Sequence, residues 1–253
     1  MLREVDLVAA EDTRRTRKLL SHYDIHRPLI SFNQANEKKA LPGLMAKLKQ
    51  GSKIALVSDA GTPGIADPGH SLVKACLEAG VDYELLPGPS AVVSAAVISG
   101  LPTHDLRFLG FLPRRQSQRR RLLAKLADQP STLIFYESPR RIASSLADIG
   151  SVLGDRQLVV IREMTKKFEE RRRGAAAELS AVYGEQPPKG EIVLLIEGTA
   201  VKEENVSPET LETELSELLR RGYSKSAAAK TLAEKYRLPR RRVYDLALTI
   251  KKW

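Results

Sequence analysis

Short apolar runs rich in valine, isoleucine and leucine alternate with segments of helical periodicity along most of the 253-residue chain, and this alternation restricts the possible folds. Such runs between turn signals predict buried β-strands, and helices between successive strands are typical of α/β proteins. The predicted strands are Val5–Ala9, Leu29–Phe32, Ile54–Ser58, Tyr83–Leu86, Phe108–Leu112, Thr132–Tyr136, Leu158–Ile161 and Ile192–Ile196. The predicted helices between them are Ala40–Gln50, Ser71–Ala79, Ser90–Ser99, Arg119–Ala127 and Ile142–Leu153.

A turn-rich segment and a change of composition divide the chain into three parts. Gly100–Asp105 separates two α/β halves, and the acidic stretch Lys202–Pro208 leads into helical patterns. We predict an N-terminal α/β domain over residues 1–103, a second α/β domain over 104–200 and a basic helical extension over 201–253. The helices predicted in the extension are Glu209–Arg221, Lys225–Tyr236 and Arg240–Lys252. Three short helices with a basic last one resemble a helix-turn-helix module, and a helical cap packed on the main body is the alternative.

The net charge of +10 is distributed unevenly along the chain. Residues 220–253 contain eleven Lys and Arg against two acidic residues, and residues 106–127 contain seven basic residues and no acidic one. Residues 201–219, in contrast, carry six glutamates and one lysine. Segregated basic blocks are typical of proteins that bind nucleic acid, although a solvated basic face would explain either block alone.

The cysteine and histidine content argues against disulfides and a metal site. Cys76 is the single cysteine, which indicates a reducing compartment, and its apolar helical stripe with Leu72 predicts a core residue. His22 and His26 lack a third ligand at metal-binding spacing, so no metal is expected. No window approaches the roughly 18 apolar residues of a membrane helix, and the start does not resemble a signal peptide. We expect a cytoplasmic protein that does not associate with membranes.

Two loops between a predicted strand and a predicted helix carry the most specific patterns. They are Asp59–Gly69, with the sequence DAGTPGIADPG, and Leu86–Ser90, with the sequence LPGPS. Ligands of open α/β sheets bind beyond the carboxyl ends of the strands, where these loops lie. Glycine lets the backbone approach a ligand closely and proline limits the entropy lost on binding, which favours rigid small-molecule loops over ordinary turns. The glycine spacing matches neither a phosphate-binding nor a dinucleotide-binding loop.

The two loops, together with other segments, resemble the signature of the tetrapyrrole methylase superfamily. The segments DAGTPGIADPG (59–69) and LPGPSAVVSAAVISGLP (86–102) carry that resemblance. Five more resemble its branch of small-subunit ribosomal RNA methyltransferases: VAAEDTR (8–14), GFLP (110–113), LIFYESPRRI (133–142), REMTKKFEE (162–170) and GEIVLLIEG (190–198). The resemblance runs in order over nearly the whole chain.

The resemblance implies two α/β domains of the tetrapyrrole methylase type with S-adenosylmethionine in the cleft between them. It also implies a homodimer, a helix-turn-helix-like C-terminal extension, and methylation of the ribose 2′-oxygen of a cytidine in the decoding site of 16S ribosomal RNA. Members of the family begin with a further strand and a Pro-Ile-Gly-Asn-Leu loop, whereas Met1 here stands only a few residues ahead of Val5. We therefore expect this chain to lack that strand and one wall of the cofactor cleft.

The site residues follow from the loops, the resemblance and the charge pattern. Predicted cofactor-binding residues are Asp59, Ala60, Gly61, Thr62, Pro63, Pro87, Gly88, Pro89, Ser90, Tyr136 and Glu137. A ribose hydroxyl is a weak nucleophile, so a general base is expected. Lys166 is a candidate if its pKa is lowered, and Glu169 could orient it. Glu11 and Asp12, directly after a predicted strand, are rival acidic candidates, and surface ion pairs are the alternative for each. Predicted phosphate contacts are Arg114, Arg115, Arg119, Arg120, Arg240, Arg241 and Arg242.

Two other functions remain open at the level of sequence. One is a tetrapyrrole methylase acting on an acidic porphyrinoid, whose carboxylates would pair with basic residues. The other is a non-catalytic protein that binds RNA or the ribosome, in which the absent strand has abolished the cofactor site. Cofactor binding separates the second alternative from either enzyme.

Overall fold

The computed structural model describes residues 1–199, 206–236 and 238–250. Its strands are β1 (Leu7–Ala10), β2 (Leu29–Ser31), β3 (Ile54–Val57), β4 (Leu106–Phe111), β5 (Thr132–Glu137), β6 (Leu158–Arg162), β7 (Glu170–Gly174) and β8 (Ile192–Ile196). Its helices are α1 (Thr13–His22), α2 (Glu37–Lys49), α3 (His70–Ala79), α4 (Ala91–Ser99), α5 (Gln116–Lys125), α6 (Ile142–Leu153), α7 (Ala176–Glu185), α8 (Pro208–Arg220), α9 (Lys225–Tyr236) and α10 (Arg240–Thr249).

The first sheet has three parallel strands in the order β2-β1-β3. Side chains of a strand alternate between the two faces, so neighbouring residues of β1 enter different cores. Leu7 and Ala9 pack with side chains of α2 and α3, including buried Cys76. Val8 packs on the opposite face with Leu20 of α1. Helices therefore cover both faces, and the carboxyl ends of all three strands meet at one edge.

The second sheet has five strands in the order β4-β5-β8-β6-β7. β4 and β5 are parallel, and the three remaining pairs are antiparallel. Every residue of the central strand β8 is buried, which explains its uninterrupted apolar sequence. One face packs on α5, α6 and α7, around residues such as Leu146 and Leu179.

Helix α4 packs on the second sheet although it precedes the predicted boundary at residue 103. Its Ala95 and Ala96 are fully buried against side chains of β5, β6 and β8, such as Ile134 and Leu195. The small side chains of α4 allow its close approach to the sheet. The segment 100–105 is nevertheless where the chain leaves α4 and enters β4, as expected of a turn-rich connection.

The three C-terminal helices form a small bundle with a core of its own. Leu215, Leu232 and Val243, one from each helix, are buried in that core. Ser207 caps α8 by accepting a hydrogen bond from the amide of Thr210. These contacts support the predicted helical extension, and the ends predicted for the acidic linker and the last helix lie partly outside the described residues.

Several local predictions were wrong. Tyr83–Leu86 forms no strand, and Tyr83, Leu85 and Leu86 are more than half exposed. Helices α1 and α7 and strand β7 were not predicted. β7 has the sequence ERRRG and lies at a sheet edge with its middle residues exposed, so it lacks the apolar alternation that identifies a strand. Among the described residues, no helix is long and apolar enough to cross a membrane.

Candidate active site

The two glycine- and proline-rich loops meet beyond the carboxyl edge of the first sheet. The first loop follows β3 and the second leads into α4. A Cβ atom on Gly61, whose φ is +70°, would lie 3.8 Å from the carbonyl oxygen of Pro89. Ser90 caps α4 by accepting a hydrogen bond from the amide of Val93 at 3.4 Å. The two loops that contain the predicted cofactor-binding residues 59–63 and 87–90 therefore lie next to each other at Gly61 and Pro89.

The first loop is held from behind by the segment that enters α2. The carboxylate of Glu37 accepts hydrogen bonds from the amide of Gly69 at 3.2 Å and the hydroxyl of Ser71 at 2.5 Å. The side-chain amide of Gln34 donates to the carbonyl of Ala66 at 3.1 Å. Gly69 has a φ of +142°, and a Cβ there would lie 2.9 Å from a methyl group of Leu56, so the loop requires glycine at this position.

Carboxylates gather at this edge of the first sheet. Glu11 accepts a hydrogen bond from the amide of Asp59 at 3.1 Å, which ties the end of β1 to the first loop. The carboxylate of Asp59 lies 3.1 Å from the guanidinium of Arg15 on α1. Burial raises the pKa of Asp67, and the negative charges of Glu11 and Asp59 raise it further. This wall of the site is consequently acidic and attracts a cation.

The opposite wall is aromatic and comes from the second sheet. The ring of Tyr136, at the end of β5, lies edge-on to Phe108 at 5.0 Å and to Phe111 at 5.5 Å between centroids. Burial raises the pKa of Tyr136, with smaller contributions from the charges of Asp67 and Glu191. Since Asp67 belongs to the first loop, its influence on Tyr136 indicates that this loop and the end of β5 lie near each other.

Glu137 has a structural role that its position in the sequence did not reveal. Its side chain is fully buried, and its carboxylate accepts hydrogen bonds at 2.6 Å from the amide of Ser138 and the hydroxyl of Ser145. The guanidinium of Arg141 lies 2.5 Å from the same carboxylate and also donates to the carbonyl of Leu112. With these partners, Glu137 holds the turn from β5 to α6 directly after Tyr136, and its predicted contact with the cofactor stays a prediction.

Lys166 is held between two carboxylates. Its ammonium lies 3.0 Å from Glu163 and 3.0 Å from Glu191, and both contacts raise its pKa. Glu163 adopts a φ of +50°, a strained conformation for this residue, and its carboxylate also accepts from the amide of Glu191. A Cβ atom on Gly190 would overlap that carboxylate, which explains the glycine at this position. A raised pKa is the opposite of what a lysine base requires, so Lys166 is a cation in this arrangement.

Glu169, the residue expected to orient Lys166, contacts other groups. Its carboxylate accepts from the amide of Thr165 at 2.8 Å and pairs with the guanidinium of Arg171. The hydrogen bonds from Arg171 and Thr165 lower the pKa of Glu169. The expected contact with Lys166 is thus replaced by Glu163 and Glu191.

The predicted phosphate contacts differ in their exposure. Arg119 is buried against Asp148, with its Nε 2.8 Å from the carboxylate, so its charge pairs α5 with α6. It therefore cannot reach a phosphate, because the pair would have to break. The exposed predicted contacts are Arg114, Arg115, Arg120, Arg240, Arg241 and Arg242.

The sequence interpretation missed most of the residues that shape this site. Glu37 lies in a polar run after β2, and the placement of polar residues beyond a strand end was the available signal. Asp67 lay inside the recognised first loop but was not selected. Glu163 and Glu191 also lay within recognised segments, and only the pairing of β6 with β8 brings them together. No local pattern indicates that pairing.

Comparisons with known proteins agree with this architecture. The sequence profile of the family described as Tetrapyrrole (Corrin/Porphyrin) Methylases matches residues 1–180. The protein named ribosomal RNA small subunit methyltransferase I of Synechocystis sp. is 44% identical over 252 residues, which cover 99% of this chain and 90% of the relative. The resemblance stated from the sequence is confirmed.

Two solved structures show the same fold. The methyltransferase CobJ matches with a TM-score of 0.57 and 16% identity, over 78% of this chain and 84% of the other. Uroporphyrin-III C-methyl transferase from Thermus thermophilus, complexed with S-adenyl homocysteine, matches with a TM-score of 0.52 and 17% identity. That match covers 78% of this chain and 87% of the other.

Proposed function

This chain belongs to the tetrapyrrole methylase family, in the group with ribosomal RNA small subunit methyltransferase I, and on that basis we propose that it methylates small-subunit ribosomal RNA with S-adenosylmethionine. The observation that carries the proposal is the 44% identity over 99% of the chain to a relative of that name. The reading as a tetrapyrrole methylase is not adopted, because the solved structures of that class share only 16–17% identity and support the fold alone.

The cleft has the chemistry that S-adenosylmethionine requires. That cofactor supplies an electrophilic methyl group on a positively charged sulfur. Asp59 and Asp67 provide negative charge on one wall, and Tyr136 provides an aromatic face on the other. The two loops lie close together at Gly61 and Pro89, which supports backbone groups of residues 60–63 and 87–89 as hydrogen-bonding partners of the cofactor. We assign these residues to the cofactor, with Ser90 holding the second loop through its cap.

The finer substrate assignment is the 2′-oxygen of a cytidine in the decoding site. Transfer to a ribose hydroxyl requires the oxygen to be held in line with the methyl group, so positioning contributes most of the rate. Of the predicted catalytic residues, Glu11 retains a carboxylate at the acidic wall that can accept the hydroxyl proton. Lys166 acts as a cation that orients the RNA backbone, and Glu169 holds the loop that presents it.

The remaining assignments concern the RNA contacts, the cellular location and the oligomeric state of the protein. The exposed arginines of residues 114–120 and 240–242 contact phosphates, and the protein acts in the cytoplasm. It forms a homodimer, and exposed apolar side chains on α4, Val93 and Val97, provide surface that an interface would cover. Light scattering of the purified chain measures that state, and a single 28.0 kDa species would contradict the dimer.

Incubation with radiolabelled S-adenosylmethionine and small ribosomal subunits from cells that lack the modification tests the proposal. We expect label on a ribose 2′-oxygen in the decoding-site RNA. Asp59→Asn should lose cofactor affinity and label together, whereas Lys49→Gln, an exposed change at the end of α2, should retain both. Cofactor binding without label on ribosomal RNA would refute the RNA substrate, and no cofactor binding would refute the enzyme.

A further inference from the structure

Helix α1 presents a basic surface that lies outside the two basic blocks at residues 106–127 and 220–253. Its outward residues Arg14, Arg17 and Lys18 are exposed, and the spacing of three and four residues places them on one face. Thr16 and Leu20 are buried on the face that packs on the first sheet. Residues 13–23 include no acidic side chain.

Two of these cations are available for a ligand. Arg14 is tied to Asp12 through Nε at 3.1 Å and the terminal nitrogen at 2.8 Å. Among the residues that the structure describes, Arg17 and Lys18 make no ion pair and no side-chain hydrogen bond. Arg17 and Lys18, together with the paired Arg14, form a basic stripe along the helix.

An exposed aromatic pair lies at the end of α1, one turn beyond Lys18. The rings of His22 and Tyr23 lie edge to face, 5.0 Å between centroids, and Tyr23 is 56% exposed. Its backbone carbonyl accepts from Arg3 at 2.6 Å, which fixes the end of the helix. Exposed aromatic rings next to cations are typical of surfaces on which unpaired bases stack while phosphates are neutralised.

The stripe starts at the cofactor cleft. α1 follows β1 directly, and Arg15 in its first turn contacts Asp59 of the first loop. Ten helical residues extend about 15 Å, which is longer than a single nucleotide step of an RNA strand. An RNA strand leaving the cleft would therefore run along α1 to Tyr23.

We propose that this surface, consisting of Arg14, Arg17, Lys18, His22 and Tyr23, binds the RNA strand next to the methylated nucleotide. The proposal rests on the proposed function, because it takes RNA as the substrate. Arg17 and Lys18 contact two phosphates, Arg14 shapes the start of the surface, and Tyr23 stacks on a base. None of these residues touches the methyl donor, so their role is in substrate affinity and placement.

The experiment measures RNA binding by fluorescence anisotropy with a labelled decoding-site RNA, over a series of salt concentrations. For the double variant Arg17→Gln and Lys18→Gln, we expect about tenfold weaker binding at low salt. The slope of log affinity against log salt should fall by about 1.4, which is about 0.7 for each single-strand phosphate contact. Tyr23→Ala should weaken binding about fivefold or more with an unchanged slope.

The matched control is Lys47→Gln with Lys49→Gln, which removes the same charge from the exposed end of α2 on the opposite face of the first sheet. This control should bind RNA like the parent, and all variants should bind S-adenosylmethionine equally. An unchanged salt slope in the α1 variant, or an equal loss in the α2 control, would overturn the α1 surface. RNA binding by the parent without label transfer to small subunits would count against the proposed function alone.

Discussion

The pair of Arg119 and Asp148 provides the sharpest test of how the second domain uses its basic block. Arg119→Met removes the charge and keeps most of the side-chain volume. Both partners are 4% exposed, and the arginine donates to one carboxylate oxygen at 2.8 Å and 2.5 Å. After the change, the partners of the Asp148 carboxylate among the described residues are Gln116 at 3.0 Å and the half-exposed Arg120 at 3.5 Å.

The expected loss follows from burial. Removing one partner of a buried ion pair leaves an uncompensated charge and costs about 3–5 kcal/mol. Because Gln116 and Arg120 remain close to Asp148, we expect the lower end, about 3 kcal/mol in the free energy of unfolding. At about 2–4 °C per kcal/mol for a chain of this size, the melting temperature should fall by about 6–12 °C.

Arg120→Met is the matched control, because Arg120 contacts the same carboxylate from the surface. An exposed pair contributes about 0–1 kcal/mol, so its urea unfolding curve should nearly coincide with that of the parent. The double variant Arg119→Met with Asp148→Leu removes both buried charges and should recover most of the loss. Circular dichroism follows the unfolding of each variant. Equal unfolding midpoints for Arg119→Met and Arg120→Met would refute the expected cost of the unpaired buried charge.

Three further predictions concern the active site. Lys166→Arg should retain most methyl transfer because it keeps the cation, while Lys166→Met should lower the rate of methyl transfer about tenfold or more. Equal losses for the two variants in a turnover assay would restore the lysine-base hypothesis. The raised pKa of Asp67 means that its carboxyl group binds a proton more readily than usual. The positively charged cofactor, in contrast, favours the ionised carboxylate. The affinity for S-adenosylmethionine, measured by calorimetry, should therefore rise with pH through the pKa of Asp67, and Asp67→Asn should remove that rise. Gly190→Ala should displace Glu163 and lower turnover about tenfold, with unchanged cofactor affinity; a turnover equal to that of the parent would show that the displaced contact is dispensable.

The local sequence determined those helices and strands whose burial follows from their own hydrophobic pattern. Helix α6 and strand β8 have the predicted bounds. The helical stripe of α6 is typical of a helix with one buried face, and the continuous apolar run of β8 is typical of a fully buried strand. The cofactor loops were recognisable for a similar reason, since glycine and proline at fixed positions specify backbone geometry without reference to distant residues. The prediction of Cys76 as a core residue belongs to the same class.

Only the tertiary structure decided which charges are available. Arg119 stands in a basic block like its neighbours, yet its partner lies 29 residues away on α6. Lys166 has its pKa raised partly by Glu191, which is 25 residues distant and arrives through a strand pairing. Coulomb interactions and desolvation depend on distances in space, whereas the sequence specifies only the order of the groups along the chain. Residue types and spacing therefore determined the fold family and the loops, while the roles of the charged side chains were set by the packing of the sheets.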